Sequence, residues 1–283
     1  MMIDMQKVSF GYRPPKQIFS ELSLQIQPGH IHGLLGKNGA GKTTLLKLIS
    51  GTLFPTTGSI NTLGYDPQKR HPQMLQDIYF LPEEGFLPAL NIQNYVSVYA
   101  PFYPNFNMKQ FDAIMDEFEL NSRNDKLQTL SHGQKKKVQI AFALAANTRL
   151  LIMDEPTNGL DIPAKSQFRR IVAGAYNPER CTLISTHQVR DLHSLIDQII
   201  ILDQHNIILN QSTEEITKKL LFRWFETDEL PQSGVLYAEE SLKGYAAILP
   251  NEKGLDSKLD IEILFNSLYA NKEIRKLFGE IRN

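Results

Sequence analysis

The sequence predicts an α/β protein: a parallel-sheet core, an antiparallel β subdomain ahead of it, a helical subdomain in the middle and a small C-terminal α+β extension. Three observations predict this. A strand-like run, HIHGLLG (30–36), passes straight into a glycine-rich loop and then into TTLLKLISG, a short helix stopped by Gly51. Two later runs, LLIMDE (150–155) and CTLISTH (181–187), are apolar on both faces, as central parallel strands covered by helices are. Between loop and runs, roughly 88–147, the apolar period becomes helical.

The opening reads as an antiparallel start: KVSF, then IFSELSLQI with every second residue apolar, then a Pro28-Gly29 turn into HIHGLLG. In the helical part, Met108, Phe111, Ile114, Met115 and Phe118 share one face behind an Asn107 cap. QIIILDQHNIILN (198–210) reads as a strand pair turning at Asp203–Asn206. Beyond about Thr213 the texture changes: short β-like runs, VLYAEE and YAAILP, precede one amphipathic helix over 259–278. Its apolar face, Ile261, Leu264, Phe265 and Leu268, can pack on the core or on a second copy.

A chain of 283 residues with 42% hydrophobic and 22% charged residues buries a sizeable core without staples. Its net charge of −1 argues against a general electrostatic grip on nucleic acid or anionic lipid, so anion binding must be local. The one cysteine, Cys181, excludes an internal disulfide and reads as a buried strand thiol. MMIDMQKVSF lacks the order of a signal peptide and no apolar window is long enough to span a bilayer, so direct membrane insertion is not expected and the cytoplasm is the expected compartment.

The loop GKNGAGKTT (36–44) fits a phosphate cradle: Gly36, Lys37, Asn38, Gly39, Ala40 and Gly41 turn backbone N–H groups inward at a helix N-terminus. Lys42 then reaches the outer phosphates and Thr43, followed by Thr44, offers a hydroxyl to Mg²⁺. At the carboxyl end of LLIMDE, Asp154 suits the metal shell and Glu155 suits the base that polarises an attacking water. His187 closes ISTH, where a strand-end imidazole is either a structural hydrogen-bond partner or a contact to the terminal phosphate and water.

LSHGQKKKV (130–138) carries an S-x-x-Q capping box, Ser131 with Gln134, so a helix starts there. Its N-terminus, bearing Ser131, His132, Gly133 and Gln134, presents N–H groups to an anion, and because the chain's own cradle already lines its phosphates, that anion should come from elsewhere. The consecutive Lys135, Lys136 and Lys137 spread over three helix faces and are expected to be mostly solvated.

GKNGAGKTT, LSHGQ, LLIMDEP, NGLD (158–161) and ISTH occur in an order and spacing that resemble the nucleotide-binding subunits of ATP-binding cassette (ABC) transporters over about residues 1–215. The resemblance implies a P-loop NTPase (RecA-like) core over 1–213, the helical subdomain at about 88–147 and an extension of unassigned role over 214–283. It implies ATP and Mg²⁺ as ligands, the metal on Thr43, Asp154 and Glu83. It also implies head-to-tail pairing with a second copy or a homologous subunit, residues 131–134 meeting the partner's ATP and Asp161 acting between the two sites. Tyr12, in FGYRP, resembles the aromatic that stacks on adenine, the other reading being a core aromatic at a strand end.

Two departures stand out. His132 replaces the first glycine of the family's signature, and FLPEEG (80–85) offers Glu83, or Glu84 one position on, where many members have glutamine. The expected role is ATP hydrolysis driving transport through separate integral membrane subunits on the cytoplasmic face, reached through residues 83–90 and the helical subdomain, where GFLPALNI reads as a docking surface or a buried connector. A single cassette with LPEE and a short tail is similar to subunits of ABC-2-type exporters, so export is the expected direction. The alternatives are a soluble ABC ATPase of iron–sulfur cluster assembly and one acting on DNA or ribosomes.

Overall fold

The computed structural model describes residues 1–13, 16–120, 122–189, 192 and 194–279. Strand β1 (Ile3–Phe10) pairs antiparallel with β2 (Phe19–Ile26), and the alternation seen in the sequence puts Leu22, Leu24 and Ile26 inside. The chain turns at Gly29, whose φ of 82° is left-handed, and enters β3 (Ile31–Leu35). β3 does not continue the antiparallel start, as the sequence suggested; all five of its residues are buried, and a strand apolar on both faces belongs inside a covered sheet. α1 (Lys42–Ile49) follows, ended by Gly51 at φ 71°, and β4 (Thr57–Thr62) returns to pair with β1.

After α2 (Pro72–Gln76) and β5 (Ile78–Leu81) come the α-helices of the middle segment, α3 (Ile92–Tyr99), α4 (Met108–Glu117) and α5 (His132–Ala145). Asn107 Oδ1 caps α4 by accepting the Gln110 N–H. Phe111, Ile114, Met115 and Phe118 are buried, but Met108 is exposed: at the first helical position its side chain leans off the N-terminal end. Phe142 of α5 is the hub, with the rings of Tyr79, Tyr95, Tyr103 and Phe106 at centroid distances of 5.7, 5.1, 6.0 and 5.0 Å.

The core is completed by β6 (Leu150–Asp154), α6 (Ile162–Gly174), β7 (Cys181–Thr186), β8 (Gln198–Asp203) and β9 (Asn206–Ser212). Among the described residues the central sheet runs β5-β6-β7-β3-β8-β9, parallel except for β9. The carboxyl ends of β3, β6 and β7 therefore lie side by side, the edge at which open α/β sheets hold ligands. Cys181 is buried in β7, where desolvation pushes its thiol well up.

Beyond β9, α7 (Thr213–Lys219) leads to β10 (Leu220–Phe225), β11 (Tyr237–Ser241) and β12 (Gly244–Pro250), an antiparallel sheet in the order β10-β12-β11. The final stretch is two helices rather than one: α8 (Ile261–Ala270) and α9 (Lys272–Lys276). Asn271 breaks them, at φ −128° and ψ 108°, because its carboxamide caps α9 through the Glu273 N–H and also donates to the Leu236 carbonyl. Ile261, Leu264 and Leu268 are buried in the same cluster as Ile201 and Leu209, so the apolar face packs on this chain's own core, with Phe265 half-buried at its margin.

Candidate functional site

The loop after β3 is shaped by what surrounds it. A side chain at Gly36 would put its Cβ 2.7 Å from the Leu202 carbonyl oxygen, and Gly39 and Gly41 hold φ values of 80° and 107°. Lys42 is buried, donates from Nζ to the Gly36 carbonyl at 2.8 Å and lies 3.5 Å from Glu155 Oε1. Thr43 Oγ1 donates to Asp154 Oδ2 at 2.7 Å, while Asp154 Oδ1 accepts from the Ser185 hydroxyl. A cavity of about 380 Å³ opens here, lined by the loop with Glu83, Glu155 and His187.

Glu155 directly follows β6 and sits at φ 47°, a conformation that costs a non-glycine residue roughly 1–3 kcal/mol. Its N–H donates to the Ser185 carbonyl and hydroxyl at 3.1 and 3.2 Å, which holds the turn. The carboxylate takes the His187 N–H at 3.3 Å and lies 2.9 Å from His187 Nδ1. Because a carboxylate accepts, Nδ1 carries the hydrogen, and in the neutral ring the Nε2 lone pair faces the Gln188 Nε2 amide at 3.5 Å. The site thus joins a buried ammonium, an acid held in a strained turn and an imidazole at the mouth.

Of the two acids in FLPEEG, Glu83 reaches this cavity; Glu84 lines a neighbouring one with His132 and Lys136. Glu83 Oε1 accepts from Asn158 Nδ2 at 2.7 Å, and Asn158 Oδ1 in turn accepts from Gln188 Nε2 at 3.3 Å. Tyr12 is 57% exposed, so it is not a core aromatic; its hydroxyl lies 3.1 Å from Thr44 Oγ1. Asp161 caps α6 by accepting the Ala164 N–H at 2.8 Å.

The capping box of α5 is complete: Ser131 Oγ accepts the Gln134 N–H at 3.2 Å and Gln134 Oε1 accepts the Ser131 N–H at 2.9 Å. Ser131, His132 and Gln134 are exposed, and no residue of 131–134 lines the phosphate cavity of the same chain. The His132 ring lies against Gly159, where an added Cβ would come within 2.3 Å of Nδ1. The lysines behind the box depart from expectation. Lys136 is only 2% exposed, because its ammonium donates to the Pro82 and Glu83 carbonyls, at 3.3 and 2.5 Å. Lys137 donates to the Phe118 carbonyl at 3.3 Å.

Sequence reasoning missed Ser185, Lys136 and His205, whose Nδ1 lies 3.0 Å from the Ala40 carbonyl. Ser185 had a signal, a hydroxyl inside an apolar strand next to the acids' strand. Nothing local marks the other two. Among the described residues no three His, Cys, Asp or Glu side chains cluster to hold a metal. Thr43, whose hydroxyl donates to Asp154, and Glu83 in the cavity lining are the hard oxygen donors that Mg²⁺ takes, so these residues fit the ion by chemical type.

A phosphate loop between a buried parallel strand and a helix, faced by two acids at the carboxyl end of β6, one strand beyond β7, defines a phosphate-loop nucleotide-binding protein. The family model described as "ABC transporter" matches residues 19–158. The chain is 27% identical to the ABC transporter ATP-binding protein YtrB of Bacillus subtilis, over 96% of this chain and 99% of the relative. It is 31% identical to the uncharacterized ABC transporter ATP-binding protein YdbJ of the same organism, over 73% and 69%. A solved ATP-binding subunit of an ABC transporter shares the fold, with a TM-score of 0.69 and 23% identity over 76% of this chain and 92% of that one. The chain belongs to the ABC transporter family as an ATP-binding subunit. No helix of the described residues is long and apolar enough to cross a membrane.

Proposed function

We propose that this chain hydrolyses ATP as half of a head-to-tail pair and drives export through separate integral membrane subunits on the cytoplasmic face. The observation that carries the reading is Glu155, held between Lys42 Nζ at 3.5 Å and His187 Nδ1 at 2.9 Å at the mouth of the phosphate cavity. An arriving γ-phosphate competes for the Lys42 ammonium and frees Glu155 to polarise the attacking water. His187 keeps the acid aimed and turns the Nε2 side of its ring to the reacting group. Thr43, Asp154 and Glu83 would hold Mg²⁺, which when bound offsets phosphate charge.

The second half of the reading concerns residues 131–134. The capping box satisfies the Ser131 and Gln134 N–H groups, and those of His132 and Gly133 lie in the first turn, where a helix supplies no partner. A partner's γ-phosphate fits there, and since closing adds contacts that the open form lacks, ATP shifts the pair towards the closed state. Tyr12, exposed beside Thr44, stacks on adenine, and Asp161 acts between the two sites. The ATPase domain spans 1–213 with its helical subdomain at 88–147, and 214–283 is a C-terminal extension. Residues 83–90 meet the membrane subunits, with Phe86, 89% exposed, as the apolar contact.

Glu155→Gln tests the reading. The variant should bind ATP, lose hydrolysis and accumulate as an ATP-dependent dimer in size-exclusion chromatography; turnover at the wild-type rate would move the base elsewhere.

A further inference from the structure

The phosphate loop is supported on one side by the C-terminal extension. The Lys37 ammonium lies 4.3 Å from the centroid of the Tyr269 ring on α8, and the Tyr269 hydroxyl donates to the Leu202 carbonyl at 3.3 Å. That carbonyl is the surface against which Gly36 packs, so one side chain touches both the strand end behind the loop and the loop's second residue. Arg275 of α9 reinforces the seat, with its guanidinium 3.3 Å from Asp203 at the end of β8. Burial and the Asp203 charge push the Tyr269 hydroxyl up to about 12, so it stays a donor at neutral pH.

The tip of the loop has few other anchors. Lys37, Asn38 and Gly39 are exposed, and a Cβ added at Gly39 would meet nothing within 4 Å. From inside, Lys42 Nζ holds the Gly36 carbonyl, and from the β8–β9 turn His205 Nδ1 lies 3.0 Å from the Ala40 carbonyl. Across the tip the Lys37 carbonyl accepts the Ala40 N–H at 3.1 Å, and the Lys37–Tyr269 contact adds a restraint on the outer edge. A cradle ordered before the nucleotide arrives loses less conformational freedom on binding, and so binds more tightly.

We propose that Tyr269 is a positioning residue of the nucleotide site: by holding Lys37 and the Leu202 carbonyl, it makes the C-terminal extension part of what sets ATP affinity. This rests on the reading of residues 36–44 as the ATP cradle. It predicts an effect on affinity and not on the chemical step, because Tyr269 touches neither Glu155 nor His187.

The test uses the full chain and a fluorescent ATP analogue with Mg²⁺, reading the dissociation constant, kcat, KM and thermal midpoint for each variant. Tyr269→Leu should weaken binding and raise KM about two- to fivefold, the worth of one cation–π contact, with kcat unchanged. Tyr269→Phe, which keeps the ring, should retain most of the affinity, and Tyr269→Leu should cost less in a Lys37→Met background, where only the Leu202 contact remains to be lost. Tyr269→Met serves the same comparison if the leucine variant does not fold. Wild-type affinity in a folded Tyr269→Leu or Tyr269→Met chain, equal losses in both backgrounds, or a loss confined to kcat would each overturn the proposal. Lys42→Ala separates the two levels. Undiminished binding there removes the cradle reading and this inference with it; abolished binding leaves the cradle standing, and the Tyr269 variants then judge the inference alone.

Discussion

His187 Nδ1 lies 2.9 Å from Glu155 Oε1, and the His187 backbone N–H reaches the other oxygen of the same carboxylate at 3.3 Å. Two groups from the end of β7 thus aim the acid that ends β6, across a register that pairs Asp154 with Ser185. His187→Ala should therefore leave ATP binding intact and lower kcat about 100-fold, the scale of one lost preorganised donor. Unchanged steady-state turnover would mean that Glu155 needs no such support.

Lys136 joins α5 to the segment carrying Glu83. Burial pulls its ammonium below the usual lysine range, while Glu83, Asp154 and Glu84 pull the other way. Lys136→Met should strand the Pro82 and Glu83 carbonyls and cost about 1–3 kcal/mol in urea unfolding. A variant as stable as the wild type would show that solvent replaces the ammonium at no cost.

The His132 ring and Gly159 fit each other closely. Gly159→Ala carries two penalties, a φ of 80° and a Cβ only 2.3 Å from His132 Nδ1. His132→Gly removes the second and leaves the first. The double variant should therefore be more stable than Gly159→Ala alone in thermal unfolding, yet less stable than His132→Gly. Strictly additive midpoints would show that the ring moves aside freely.

His32 predicts a pH dependence of stability. It is buried in β3, its Nε2–H donates to the Gln27 carbonyl at 3.2 Å, and burial lowers its pKa to about 4 from 6.5. Asp197 and His30 are the charged groups beside it, and they pull in opposite directions. With the folded value below the unfolded one, the unfolded chain takes up the proton first. Stability from this group is full above pH 6.5 and drains as pH falls towards 4, by about 3 kcal/mol over the window. His32→Gln should flatten that limb in denaturant titrations at pH 7 and pH 4.5; an unchanged difference between the two would assign the limb to other groups.

Much of the site was legible because its information is local. GKNGAGKTT between a buried run and a helix, LLIMDE with its acids at the end, and the S-x-x-Q box each place their residues through spacing and backbone geometry that a few neighbours dictate. Such patterns fix what a segment does to its own backbone, and the parallel strands, the cap and the cradle followed. Other features were decided by partners far along the chain. Periodicity placed Lys136 on one of three helix faces but could not reveal that the Pro82 and Glu83 carbonyls wait there. The choice of Glu83 over Glu84, the seating of His132 on Gly159 and the break at Asn271 under the Leu236 carbonyl all needed the packed molecule. So did the meeting of Lys37 with Tyr269, since a contact between the two ends of a chain is set by how sheets and helices stack, and no short stretch of sequence carries that geometry.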